Sequence, residues 1–483
     1  MTTNQLEAYL DNTKVVPSVL ASRLTHPITG KTYPNRFFYL VLRKYASNFF
    51  RSGGEPRMIG MAGLRGVGKT TLLWQLANYV YNNATTNIYF FNVNILKTLD
   101  ITLFDSLEIF QIKILKKRFN QLKEPIVLLF DEVHDDPEWS KTLKILYDEA
   151  KTAFIINTGS SALLLQQTAD LARRMHVEKI YPYKFTEFII AKTYFAGSRQ
   201  LPPSGIASFL KDTLYFSEDA ESCHKSLMTA KMAIDSYNKS LDIFTKNNTK
   251  ELIQEYISYH NIPSYLFFQN KSAIQQSIVD LFRRVILEDI PKMSKEFSGT
   301  NNIERLLFRL AASDEINVDT LSQSIGVKKK EIEEMLSILD KAELINILAP
   351  YGGINTRINK NKKAFFMSPS LRRALLSVIY GNNLPDEFRS KMMEDLIVMY
   401  IRRILPDSMV SYMSEKGQVN PDFIIETRDK PIIIEAGLGK STDRQITKSN
   451  INYRYGIIIS SNITEPSLKG NSIFLPFNWF LML

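Results

Sequence analysis

The stretch Gly63-Leu64-Arg65-Gly66-Val67-Gly68-Lys69-Thr70-Thr71 constrains this chain more than any other. Its spacing is G-x-x-x-x-G-K-[ST]. Glycines there let successive backbone N–H groups curl around a phosphate, and a helix opening at the lysine aims its N-terminal dipole at the same point. Gly63, Gly66, Val67, Gly68 and Thr71 would line the phosphates, Lys69 would reach the β and γ phosphates, and the Thr70 hydroxyl would hold Mg²⁺. Such a loop needs a strand before it and a helix after it. Met58 to Ala62 is a short apolar run, and Leu72, Leu73, Leu76 and Val80 recur at helical spacing. The expectation is an α/β domain with a parallel sheet, taking ATP with Mg²⁺ at this loop.

A second feature lies downstream. In Ile126-Val127-Leu128-Leu129-Phe130-Asp131-Glu132, five consecutive apolar residues precede two acids. This reads as a strand buried on both faces that empties at its carboxyl end, where open α/β sheets bind ligands. Asp131 would then hold Mg²⁺, and Glu132 would accept a proton from the water attacking the γ-phosphate. The competing reading makes both acids caps for a helix near Pro137-Glu138-Trp139. Their placement downstream of a phosphate loop favours the first. Ala153 to Asn157 is another apolar strand, ending in Thr158-Gly159-Ser160-Ser161, where Ser160 would sense the γ-phosphate or position water. Arg173 and Arg174 follow; a guanidinium there neutralises transition-state charge in cis or from a neighbouring subunit, or the two are a solvated pair.

At 483 residues the chain accommodates two to four domains. The formal net charge of +10 suits nucleic acid as a partner. Cys223 is the only cysteine, which excludes an internal disulfide and any multi-cysteine metal site, and a reducing cytoplasm fits. The polar start shows no signal peptide, and no apolar run approaches membrane-spanning length. Turn chemistry and composition divide the chain into a leader at 1–50, a nucleotide core at 51–195, a helical region at 196–300, a helix-turn-helix with a wing at 301–380, and a closing α/β domain at 381–483.

Within the fourth segment, Val318 to Ser322 opens a helix, Ile325-Gly326-Val327 is a turn, and Lys328 to Ala342 is a second helix. The wing carries Gly352-Gly353 and Lys360 to Lys363. Lys328, Lys329 and Lys330 open the second helix, where DNA contacts usually originate. Glu331, Glu333 and Glu334 follow at once, which equally suits a protein-docking module. In the last segment, Asp422 and Glu435 stand on two strands of a hairpin, with Glu394 on the preceding helix. Acids converging in this way bind Mg²⁺ and activate water against a phosphodiester.

Phe130-Asp131-Glu132-Val133-His134 with Pro137-Glu138-Trp139, Thr158-Gly159-Ser160-Ser161, Leu171-Ala172-Arg173-Arg174 and Tyr181 to Phe188 together resemble the prokaryotic AAA-type ATPases. The resemblance is to the group whose ATPase module carries a winged helix and a restriction-endonuclease-like C-terminal domain. It implies that Arg174 is the arginine that precedes the Tyr-Pro element in that family. The closing domain resembles the PD-(D/E)xK nuclease core, with one departure: Gly437 stands where a lysine is expected, leaving Lys440 to reach back, which favours a nuclease fold kept as a nucleic-acid or protein platform without cleavage over an active nuclease. The expectation is an ATP-hydrolysing protein that couples nucleotide state to DNA binding; the arginine near the site raises the prospect of subunits completing each other's sites, which a size measurement tests. A nucleotide-gated protein-interaction switch and an ATP-regulated nuclease are the alternatives.

Overall fold

The computed structural model describes residues 3–159, 169–293, 300–313, 315–406, 409–413 and 420–483. They form two compact units that meet in sequence at Tyr181 and Pro182. The division differs from the expected core boundary at 195: the helix Phe185–Phe195 groups with the second unit, and the leader with the first.

The first unit is built on five parallel strands: β1 (Met58–Ala62), β2 (Ile88–Asn92), β3 (Ile126–Asp131), β4 (Ala153–Gly159) and β5 (His176–Lys179), in the order β2-β3-β4-β1-β5. β1, β3 and β4 are buried along their whole length, which is why they read as unbroken apolar runs. Because the strands are parallel, their carboxyl ends share one edge of the sheet.

The leader covers the outer edge of β2, where Lys14 bridges Tyr89, Val15 N donates to Ile88 O at 2.9 Å, and Phe90 N donates to Thr13 O at 2.8 Å. An exposed strand edge is a template for association, and this pairing closes it. The leader also carries the helix Phe38–Ser52, ended by Gly53 at φ +64°, a conformation glycine adopts without strain. The Thr102 hydroxyl caps the amide of Asp105, the helix Leu103–Phe110 widens into a π turn at Gln111–Leu115, and Lys116 at φ +53° ends it.

The second unit begins with helices, among them the 26-residue Ala220–Thr245. Cys223 is buried on that helix, and burial pushes its thiol up to about 12. Next come the helices Thr300–Ala312, Val318–Ile325 and Lys329–Lys341, with Gly326 at φ +83° in the turn. A small antiparallel sheet joins them: β6 (Glu315–Ile316), β7 (Ile345–Leu348) and β8 (Lys362–Phe366), ordered β6-β8-β7. The connection between β7 and β8 carries a short helix, Ile354–Asn359.

The chain closes with a six-stranded mixed sheet of β9 (Val410–Ser411), β10 (Phe423–Ile425), β11 (Ile432–Gly437), β12 (Gly456–Ser460), β13 (Ser467–Lys469) and β14 (Ser472–Pro476). Their order is β13-β14-β12-β11-β10-β9, with β11, β12 and β14 parallel. Between the two sheets, Arg372 on helix Pro369–Tyr380 and Asp395 on helix Asp386–Ile404 are both fully buried. Among the described residues no helix is long and apolar enough to cross a membrane.

Candidate nucleotide site

The glycine-rich loop runs from the end of β1 into the helix Lys69–Asn83. Gly66 and Gly68 lie at φ +85° and +89°, backbone that side chains rarely adopt, and a Cβ on Gly63 would collide with the carbonyl oxygen of Ile180. Lys69 is 5% exposed, and its ammonium donates to the Gly63 carbonyl at 2.8 Å and the Leu64 carbonyl at 3.3 Å. The loop thus holds its own lysine at its centre.

Two strand ends and the first turn of that helix converge beside it. Thr70 Oγ1 donates to Asp131 Oδ2 at 2.9 Å, and Thr158 Oγ1 donates to Asp131 Oδ1 at 2.6 Å. The Glu132 amide in turn donates to Thr158 Oγ1 at 2.9 Å. Burial pushes the Asp131 carboxyl up, with Glu132 adding to it, while Thr158, Thr70 and Lys69 pull it down. The Thr70 hydroxyl and the Asp131 carboxylate are both hard oxygen donors, the set that Mg²⁺ takes beside a phosphate. Glu132 sits at φ +57°, a left-handed conformation that costs a non-glycine residue about 1–3 kcal/mol and clusters at functional sites. Its carboxylate lies 3.4 Å from His134 Nε2.

The structure therefore brings Lys69, Thr70, Asp131 and Glu132 together, with Gly63, Gly66, Val67 and Gly68 in the loop and Thr71 half-buried on the helix. Ser160 lies outside the described residues. The strand-end hydroxyl that reaches the acids is Thr158. Arg36, a leader residue outside every motif, is also part of the site: it donates to Val67 O at 2.5 Å and to Tyr181 O at 2.8 Å. A lone arginine before β1 gives no local signal for that role.

The cis role for Arg174 is corrected. It precedes β5, and its guanidinium grips Asp148 at 2.9 and 3.1 Å at the end of the helix Trp139–Glu149. That is the amino edge of the sheet, where Arg57, just before β1, holds the Ala150 and Tyr147 carbonyls. The phosphate loop leaves β1 at the opposite edge.

In the closing domain, Asp422, Glu435 and Lys440 do come together. Asp422 Oδ2 accepts from the Ala436 amide at 2.8 Å, and the Lys440 ammonium donates to Glu435 and to Gln445. Burial and the neighbouring Asp422 push the Glu435 carboxyl up, while Lys440 pulls it down. Lys440 therefore reaches back, as its offset from Gly437 requires. It does so onto the carboxylate that a divalent cation would need, and the cluster as arranged fits such a cation poorly. Glu394 is half-buried on the preceding helix, next to Asp395. Lys329 and Lys330, expected to face DNA, engage acids of their own domain: Asp319 at 2.6 Å and Glu334 at 3.8 Å.

Residues 55–189 match a family model described as an AAA domain, and residues 250–380 match one described as a domain of unknown function (DUF8612). Over that first stretch the chain carries an AAA-type P-loop domain, and its parallel five-stranded sheet is the fold such domains share. An uncharacterized protein of Methanocaldococcus jannaschii is 28% identical over 460 residues, spanning 93% of this chain and 89% of that protein. Two solved structures are more distant. The Thermotoga maritima RuvB Holliday junction branch migration motor is 15% identical, covering 65% of this chain and 89% of that one, at a TM-score of 0.27. The Aeropyrum pernix Orc1 protein in complex with DNA is 10% identical, covering 74% and 94%, at a TM-score of 0.31.

Proposed function

We propose that the protein binds and hydrolyses ATP at the Gly63–Thr71 loop, and that nucleotide state governs binding of DNA by the second unit. The observation that carries the reading is the Thr70–Asp131–Thr158 cluster, two hydroxyls and a carboxylate from three elements gathered beside a buried loop lysine.

The loop amides and Lys69 bind the β and γ phosphates and neutralise charge as it moves onto the leaving group. Thr70 and Asp131 would hold Mg²⁺, which supplies further neutralisation of the phosphates. Glu132 takes the proton of the attacking water, and Thr158 fixes Glu132 by binding its amide while binding Asp131 through its own hydroxyl. Arg174 acts, if at the phosphates of any copy, at those of a neighbouring subunit, because its own lie at the far edge of the sheet.

The net charge of +10 and the turn between helices Val318–Ile325 and Lys329–Lys341 support DNA as the partner. One observation favours a second reading, nucleotide-gated docking of a protein. Lys329 and Lys330 are paired with acids of their own domain, which lowers their yield as phosphate contacts. Charge reversal of Lys328, Lys329 and Lys330 separates the two. Loss of DNA binding with a reduced salt dependence supports the first reading. Unchanged DNA binding with loss of a protein partner supports the second.

A further inference from the structure

Arg36 is 6% exposed, and both of its terminal nitrogens are committed, one to the Val67 carbonyl inside the phosphate loop and one to the Tyr181 carbonyl beyond β5. We infer that Arg36 is a positioning residue that ties the shape of the phosphate loop to the chain segment beginning at Tyr181, so that nucleotide occupancy is registered there. The inference rests on nucleotide binding at the loop.

The loop needs a brace of this kind. With Gly66 and Gly68 both at positive φ, the residues themselves do little to fix how each peptide plane is turned. Amides that turn inward to a phosphate leave carbonyls turned outward, and a buried carbonyl requires a donor. The planar fork of an arginine can serve two such acceptors in fixed geometry, which a lysine cannot. The second acceptor is what makes the brace informative. Ile180 N donates to Ala62 O at 2.7 Å, and the Ile180 carbonyl oxygen lies so close to Gly63 that it leaves no room for a Cβ there. The 180–181 segment therefore touches the start of the loop directly and its middle through Arg36.

Past Tyr181 the chain has little slack. The Pro182 carbonyl accepts from Arg403 at 3.1 Å, the Tyr183 carbonyl accepts from Tyr256 Oη at 2.7 Å, and the Phe185 amide donates to Tyr400 Oη at 2.6 Å. A shift at Val67 when phosphate arrives reaches Tyr181 through one side chain, and the residues after it are each held at the backbone.

The test uses the full chain, with binding of Mg-ADP and of adenosine measured by calorimetry and amide exchange followed over 58–71 and 181–188. Three proteins are compared: native, Arg36→Met and Arg36→Lys. In the native protein, ADP slows exchange over both stretches. Arg36→Met binds ADP about tenfold or more weakly, the scale of a lost charged hydrogen bond, while adenosine binding is unchanged. At saturating ADP it protects 58–71 and no longer protects 181–188. Arg36→Lys keeps the charge, reaches only one carbonyl and loses the same protection; it decides the matter alone should Arg36→Met not fold. The inference is overturned if these variants bind ADP like the native protein and keep protection over 181–188, or if ADP and adenosine are lost equally. A native protein that binds no ADP or ATP overturns the nucleotide reading itself, which is a separate result.

Discussion

The Thr158 hydroxyl donates to Asp131 at 2.6 Å, and through this one contact the end of β4 is joined to the end of β3 at the phosphate loop. The same oxygen accepts the Glu132 amide, so a single threonine places both Asp131, the proposed Mg²⁺ ligand, and Glu132, the proposed proton acceptor. Thr158→Val keeps the shape of the side chain and removes both bonds. It is expected to lower kcat for ATP by about 100-fold, since small misplacement of a catalytic group costs that much, with KM changed by less than about threefold. A raised KM at native kcat would place Thr158 in binding alone.

The buried Arg372–Asp395 pair is fully satisfied: Asp395 accepts from Arg372 Nε at 2.6 Å and Nη2 at 2.9 Å and from the Phe366 amide at 2.7 Å, while Arg372 also donates to the Leu310 and Ala311 carbonyls. Asp395→Ala leaves a buried guanidinium uncompensated and is expected to destabilise the second unit by about 3–5 kcal/mol. Urea denaturation followed by circular dichroism reads the loss. A change under about 1 kcal/mol would show that solvent reaches the pair.

Lys184 is buried, donates to the Leu483 carbonyl, and is pushed down to about 7 by that burial, with Arg403 adding to it. An unfolded lysine keeps its proton to about 10.4. Between these values the unfolded chain binds a proton that the folded chain does not, so unfolding becomes harder as pH rises through this window. Below about 7 both states carry the charge, and the burial penalty is fully present. The unfolding free energy of the native protein minus that of Lys184→Met is expected to rise between pH 7 and 10, as read by denaturant titration. A flat difference would mean that the folded ammonium stays charged.

Lys440 clamps Glu435, and its removal tests what the closing domain can do. Lys440→Ala frees the Glu435 carboxylate beside Asp422. The native protein is expected to leave DNA and RNA intact with Mg²⁺ or Mn²⁺, and the variant to bind Mn²⁺ more tightly by calorimetry. Cleavage by the native protein that Glu435→Gln abolishes would restore the nuclease reading.

The sheet of the first unit was legible because its strands are buried on both faces and therefore appear as apolar runs, and because the glycines and lysine of the loop have a spacing that only a phosphate requires. The place of Asp131 and Glu132 at the end of β3 was legible for the same reason, since they stand where an apolar run ends. Which hydroxyl of Thr158-Gly159-Ser160-Ser161 meets the acids was not legible, because a run of polar turn residues does not say which one faces them; pairing of β4 between β1 and β3 brings Thr158 there. Arg36 carried no signal, since its partners lie 31 and 145 residues away. Arg174 was placed by motif spacing. The parallel sheet puts the start of β5 at the edge away from the loop, and sequence alone does not show which edge an arginine occupies. The grouping of the residues after Tyr181 with the second unit was not legible for a related reason: they are held by Tyr256, Tyr400 and Arg403, far along the chain.

Steady-state ATP hydrolysis by the native protein, Lys69→Ala and Glu132→Gln, each with and without DNA, tests the central claim most directly. The expected result is turnover that DNA stimulates. Lys69→Ala should lose about 10- to 100-fold or more in nucleotide affinity, as expected for a lost charged contact, and Glu132→Gln should still bind ATP with kcat down by at least about 100-fold. Turnover that survives Glu132→Gln, or a native protein that binds no ATP, would contradict the account.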